Sequence, residues 1–206
     1  MNLKPAIFFD RDGVVNVSPG PGYVLRVEDF HLSPGIIEVL AWCKAQGFFT
    51  VLVTSQQGVG KGLMSEADLD QIHDFLQSEL AAHGATFDRI YACTHLTGTC
   101  TCRKPSPQMI LEAAAALPID LSGSALIGDH DRDIQMARNA GVGFTIRLAS
   151  DNAVKDIGDV LAHSVPEVLR ALEKWTVGRT GVLPVPPGVP PGAGALSDPS
   201  YPTEHH

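Results

Sequence analysis

The chain switches repeatedly between two hydrophobic periods along its 206 residues. Short β-favouring runs recur at Ala6 to Phe9, Phe48 to Thr54, Arg89 to Ala92, Ser124 to Gly128 and Phe144 to Leu148, and they read as strands, the first two buried. Between them the period changes to that of a helix. After Pro34-Gly35, the residues Ile36, Val39, Leu40 and Cys43 share one face and Gly47 suits the C-terminal cap, which makes Cys43 a core residue. Ser65 and Asp68 form a capping-box pattern ahead of the stripe Leu69, Ile72, Leu76 and Leu80, with Gly84 as the stop. His73 and His83 on or near this helix read as surface or packing residues. Ser106-Pro107 reads as N-cap and first residue of an alanine-rich helix ending at Pro118. A helix from about Asp131 to Ala140 closes at Gly141, and a last one opens at Ser164, with Glu167 completing a second capping box ahead of Val168, Leu172 and Trp175. The connections are too long for hairpins, so the pattern predicts a three-layer α/β domain over residues 1–175 with a mainly parallel central sheet.

Beyond Trp175 the periodicity stops. Residues 176–206 are dominated by Pro and Gly and are expected to be a disordered or extended tail, whose Pro-rich centre could instead dock on an SH3-like partner. A composition of 44% apolar and 18% charged residues suits one soluble domain. The net charge of -8 disfavours nucleic acid and anionic membrane as partners. No run approaches the ~18 apolar residues of a membrane span, and the start is too short in apolar residues for a signal peptide. A cytoplasmic protein is expected.

Candidate chemistry gathers at predicted strand ends, where α/β sheets place their sites. Four polar clusters lie there or on the loops that follow: Asp10 and Asp12, Thr54 and Ser55, Arg103 and Lys104, Asp129 and Asp133. Asp10-Arg-Asp-Gly13 alone is compatible with an Asx-type turn leaving a strand. It is equally compatible with one carboxylate that attacks and another that handles a proton beside a divalent cation. Asp133 could steady a helix N-terminus or orient Lys104. Cys93-x-His95 followed by Cys100-x-Cys102 offers three thiols and an imidazole, the closed tetrahedral set of structural zinc, in a Thr- and Gly-rich loop with no core to bury thiols. The loop leads straight into Arg103-Lys104, so zinc there would fix the position of that lysine.

Taken in order, the Asp-x-Asp-Gly, Thr, Lys and Gly-Asp-x-x-x-Asp motifs resemble those of the haloacid dehalogenase superfamily of phosphotransferases. Asp10-Arg-Asp-Gly-Val-Val-Asn16, Thr54-Ser-Gln56 and Cys102-Arg-Lys-Pro105 resemble its subfamily of histidinol-phosphate and heptose bisphosphate phosphatases. The resemblance implies a Rossmann-like fold and an aspartyl-phosphate mechanism, with Asp10 as nucleophile and Asp12 as acid and base. It implies Mg²⁺ between Asp10, the main-chain carbonyl of Asp12 and Asp129, phosphate held by Thr54, Ser55, Arg103 and Lys104, and zinc held by Cys93, His95, Cys100 and Cys102. Asp133 would support Lys104. The interval from Asp10 to Thr54 leaves no room for a separate cap domain, so an open site is expected on a monomer acting on a small phosphorylated metabolite. Gly20-Pro-Gly-Tyr23-Val24 and Gly60-Lys-Gly62 look like the heptose bisphosphate branch, whereas the short zinc loop looks like the histidinol-phosphate branch. Ser55 stands where that subfamily has Asn, and His130-Asp131-Arg132 after Asp129 is unusual for it. Two other classes compete: a receiver domain with a phosphorylated Asp, and a zinc-stabilised interaction module without activity.

Overall fold

In the computed structural model, which describes residues 2–151 and 153–181, the apolar runs pair into one sheet. Strands β1 (Ala6–Phe9), β2 (Phe49–Ser55), β3 (Arg89–Cys93), β4 (Ala125–Gly128), β5 (Phe144–Leu148) and β6 (Val160–Ala162) lie in the order β3-β2-β1-β4-β5-β6. Every pairing is parallel, so each strand needs a crossover. The crossovers carry α1 (Ile36–Ala45), α2 (Gln57–Gly60), α3 (Glu66–Ala81), α4 (Gln108–Ala116) and α5 (Asp131–Ala140), and α6 (Val165–Thr180) follows β6.

Both faces of the sheet are covered, which is why its strands show no polar alternation. Ile7 and Phe9 pack with Val39 and Leu40 of α1, Ile72 and Leu76 of α3 and Leu172 of α6. Ala6 and Phe8 turn to the opposite layer, among Met109 and Ile110 of α4 and Met136 and Ala137 of α5. Burying each such large side chain contributes ~1.5–3 kcal/mol. Cys43 is wholly buried in the first of these layers.

Several boundaries differ from the sequence pattern. The strand β6, Val160-Leu-Ala162, is too short an apolar run to stand out in the pattern and forms where β5 offers it a free edge, pairing Ile146 with Val160. Helix α6 runs five residues beyond Trp175, because Val177-Gly-Arg-Thr contains no proline and Gly181 supplies a left-handed stop at φ 68°. The helix thus continues into the first residues of the expected tail, and the rest of that tail, 182–206, lies outside the described residues. The expected Ser164 box does not form: the serine side chain makes no capping bond, and Glu167 Oε2 accepts at 2.8 Å from the amide of His163, the residue before the N-cap. Helix α4 starts one residue late, with Pro107 as N-cap. No helix among the described residues is long and apolar enough to cross a membrane.

Candidate active site

An all-parallel sheet delivers every strand end to one edge, and here the two halves of the sheet diverge from β1 and β4. Asp10 follows β1 and Asp129 follows β4 at that divergence, while Thr54 and Ser55 end β2 and Cys93 ends β3. The turn after Asp10 winds about the Arg11 carbonyl, which accepts from the amides of Val14, Val15 and Asn16 at 3.3, 2.8 and 3.0 Å. Gly13 makes this possible at φ 87°, and a Cβ there would sit 2.6 Å from Asp129 Oδ2.

Lys104 binds the site together. Its Nζ donates to Asp10 Oδ1 at 2.6 Å and reaches Asp133 Oδ1 at 2.7 Å, and all three side chains are almost completely buried. Asp133 Oδ2 meanwhile accepts from the His130 amide at 3.0 Å, capping α5. Asp133 thus touches both Lys104 and the N-terminus of α5, one through each carboxylate oxygen.

Carboxylate oxygens of Asp10, Asp129 and Asp133 lie within 4.8 Å of one another, with the Lys104 ammonium paired to Asp10 and Asp133 and the Arg132 charge acting on Asp129. Burial, and then Asp133, push Asp10 up from 3.8 to about 7 against the opposing pull of Lys104. Burial and Asp133 likewise push Asp129 to about 6. Burial works against the charged form of Lys104, yet Asp10 and Asp133 hold its pKa above the usual lysine value. Such a cluster of hard oxygen donors fits Mg²⁺.

Asp12 is placed differently. Arg11 grips it through Nε at 3.1 Å and Nη2 at 3.0 Å, and Gln56 Nε2 donates to it at 2.9 Å. Burial raises its pKa, but the Arg11 charge and the Gln56 bond outweigh this and hold it below the usual carboxylate value. Gln56 also donates to Thr54 Oγ1 at 2.8 Å. The sequence reading assigned no role to Arg11 or Gln56. Lys104, Arg103, Thr54 and Ser55 all line one cleft of about 680 Å³ with Asp10, Asp12 and Asp129. Buried atoms of two of them, Ser55 Oγ and Arg103 Nη1, have no hydrogen-bond partner among the described residues.

The predicted zinc ligands also converge. The sulfurs of Cys93, Cys100 and Cys102 are 3.0 to 3.5 Å apart, and His95 Nδ1 is 3.5 Å from Cys102 and 4.0 Å from Cys93. Three soft sulfurs and one imidazole nitrogen, within 4.8 Å of each other, fit a tetrahedral zinc ion. The Gly60 amide at the end of α2 donates to Thr94 O at 3.0 Å, so the loop after β2 braces the cluster.

Comparison with known proteins agrees with this geometry. The HAD-hydrolase-like family pattern matches residues 101–160. A Vibrio cholerae protein named D-glycero-beta-D-manno-heptose-1,7-bisphosphate 7-phosphatase is 37% identical over 175 residues, covering 81% of this chain and 93% of its own. A Burkholderia mallei relative, named for the alpha anomer of the same sugar, is 38% identical over 72% of this chain and 82% of its own. The crystal structure of a B. bronchiseptica D,D-heptose 1,7-bisphosphate phosphatase, complexed with magnesium and phosphate, superposes with a TM-score of 0.75 at 30% identity, covering 82% of this chain and 98% of that one. A chain with these relatives and this fold belongs to the haloacid dehalogenase superfamily of phosphatases, within the histidinol-phosphate and heptose bisphosphate phosphatase subfamily.

Proposed function

We propose that the chain removes the 7-phosphate of D-glycero-D-manno-heptose 1,7-bisphosphate through an aspartyl-phosphate on Asp10. The observation that carries the reading is Lys104 held between Asp10 and Asp133 at the end of β1, beside the Asp129 carboxylate. Asp10, Asp129 and the main-chain carbonyl of Asp12 would hold Mg²⁺, which supplies charge stabilisation for phosphoryl transfer. Asp10 attacks phosphorus as the bond to the sugar oxygen breaks, and Asp12, which must carry a proton at this step against the anion-favouring pull of Arg11 and Gln56, delivers it to that oxygen. A water then attacks phosphorus, losing a proton to Asp12 as the Asp10 oxygen leaves. Lys104 and the Thr54 hydroxyl hold non-bridging oxygens, with Ser55 and Arg103 on the same wall. The closed S₃N set would hold structural zinc, leaving no position for substrate. A cleft of about 680 Å³ suits a seven-carbon bisphosphate.

The test is phosphate release from heptose bisphosphates of both anomers, histidinol phosphate and other sugar phosphates, compared by kcat/KM. The heptose bisphosphates should lead, and Asp10→Asn should abolish turnover while keeping the fold. Preference for histidinol phosphate would overturn the substrate, and turnover of Asp10→Asn within about tenfold of the parent would overturn the covalent mechanism.

A further inference from the structure

Burying a guanidinium costs several kcal/mol unless it is well paired, and Arg11 has no exposed surface. Its counter-ion is the next residue. Nε and Nη2 meet Asp12 Oδ1 at 3.1 and 3.0 Å, and Nη2 also reaches Oδ2 at 3.2 Å. The tight turn around the Arg11 carbonyl brings these neighbours onto one another. From the other side the wholly buried Gln56 donates to Asp12 Oδ2 at 2.9 Å and to the Thr54 hydroxyl at 2.8 Å. A carboxylate held by a planar fork and an amide cannot turn about its own bonds without breaking charge-assisted hydrogen bonds. The 26% of the Asp12 side chain that stays exposed lines the cleft.

We propose that Arg11 and Gln56 are positioning residues, which fix Asp12 in the rotamer that serves both half-reactions and register it against the phosphate through Thr54. This rests on the acid and base role proposed for Asp12. A mobile carboxylate would have to find the sugar oxygen in the first step and a water in the second. A clamped one meets both from a single place, because the leaving oxygen and the attacking water occupy the same side of phosphorus in turn. Arg11 is suited to the task by its fork: a lysine at this position would keep the charge and lose the planar geometry.

The experiment compares the parent, Arg11→Lys, Gln56→Leu and Asp12→Asn by rapid quench, on an aryl phosphate, whose leaving group needs no proton, and on an alkyl phosphate, whose leaving group does. Arg11→Lys is expected to lower kcat on the alkyl ester by about 10²-fold with KM changed less than about threefold. The burst from the aryl ester should survive. In the Asp12→Asn background neither Arg11→Lys nor Gln56→Leu should lower the burst rate further, as expected for residues acting through Asp12 alone. Equal losses in the rate of phosphoenzyme formation on both esters, a further loss in the Asp12→Asn background, or full alkyl-ester kcat in folded Arg11→Lys would each overturn the proposal. Should Arg11→Lys fail to fold, Gln56→Leu carries the same comparison. An Asp12→Asn enzyme that still turns over the alkyl ester would overturn the acid and base role itself, and so marks a different failure.

Discussion

Replacing Lys104 by Met tests whether one buried ammonium is what lets the carboxylates of the site coexist. The substitution keeps much of the side-chain volume and removes contacts of 2.6 and 2.7 Å to Asp10 and Asp133. Breaking a buried ion pair from one side costs roughly 3–5 kcal/mol. At ~2–4 °C per kcal/mol for a domain of this size, Tm should fall by roughly 6–20 °C in chelator at about pH 8. The loss must also depend on pH. Asp10 has its pKa raised from 3.8 to about 7, so the folded protein binds more protons across that interval and loses stability as pH rises through it. Without Lys104 the interval widens upward, because two effects that lower the Asp10 pKa vanish. The deficit against the parent should therefore shrink at about pH 5, where the acids accept protons instead. Saturating Mg²⁺ should raise the variant's Tm more than the parent's, since the cation no longer competes with an ammonium. Turnover should drop by at least ~10²-fold. Thermal unfolding at the two pH values, with and without Mg²⁺, reads all of this. A deficit that ignores both pH and Mg²⁺ would mean that Lys104 contributes packing alone and would refute the charge reasoning.

Gly13→Ala should strain the turn by about 1–2 kcal/mol and push the Asp129 carboxylate aside. The Mg²⁺ needed for half-maximal activity should then rise by about 10–100-fold with zinc content unchanged, and an unaltered requirement would count against Asp129 as a ligand. Cys100→Ser should lower zinc content, Tm and activity together, with no rescue by added Mg²⁺, because Lys104 lies two residues after Cys102. Full stability in that variant would show that the thiols do not close a metal site. A mild chelator should switch off activity reversibly while about one zinc per chain stays bound, and zinc lost in step with activity would merge the two sites.

The residues that meet in the cleft were legible because each stands where a strand gives way to a loop. An apolar run followed by Asp10, Thr54 or Asp129 marks its own position. Lys104 needed the zinc loop to be placed, and its distance from Asp10 in sequence hides their contact. Arg11 could not be read as buried: in a one-dimensional pattern an arginine between two aspartates looks like solvated loop. Gln56 reaches Asp12 from 44 residues away, and its amide has no periodicity to betray it. His130, Asp131 and Arg132 looked anomalous, yet His130 caps α5 and Asp131 pairs with the buried Arg147 at 2.8 Å. β6 escaped notice because three residues carry too little pattern, and its strand exists only by virtue of the edge that β5 presents.

The central position of β1 bears on how the molecule is made. Its first partner, β2, ends at Ser55, but its second, β4, begins at Ala125, and the Ala6 amide bonds to Ser124 Oγ across 118 residues of sequence. At ~5–20 residues per second, a ribosome needs roughly 3.5–14 s to cover the interval of 70 residues from Ser55 to Ala125. Throughout it the strand that carries Asp10 is a sheet edge, with Ile7 and Phe9 lacking part of their eventual cover and one row of backbone groups unpaired. The pace of synthesis between β2 and β4 thus governs how many chains are lost to association before the site can close, independently of how stable the finished fold is.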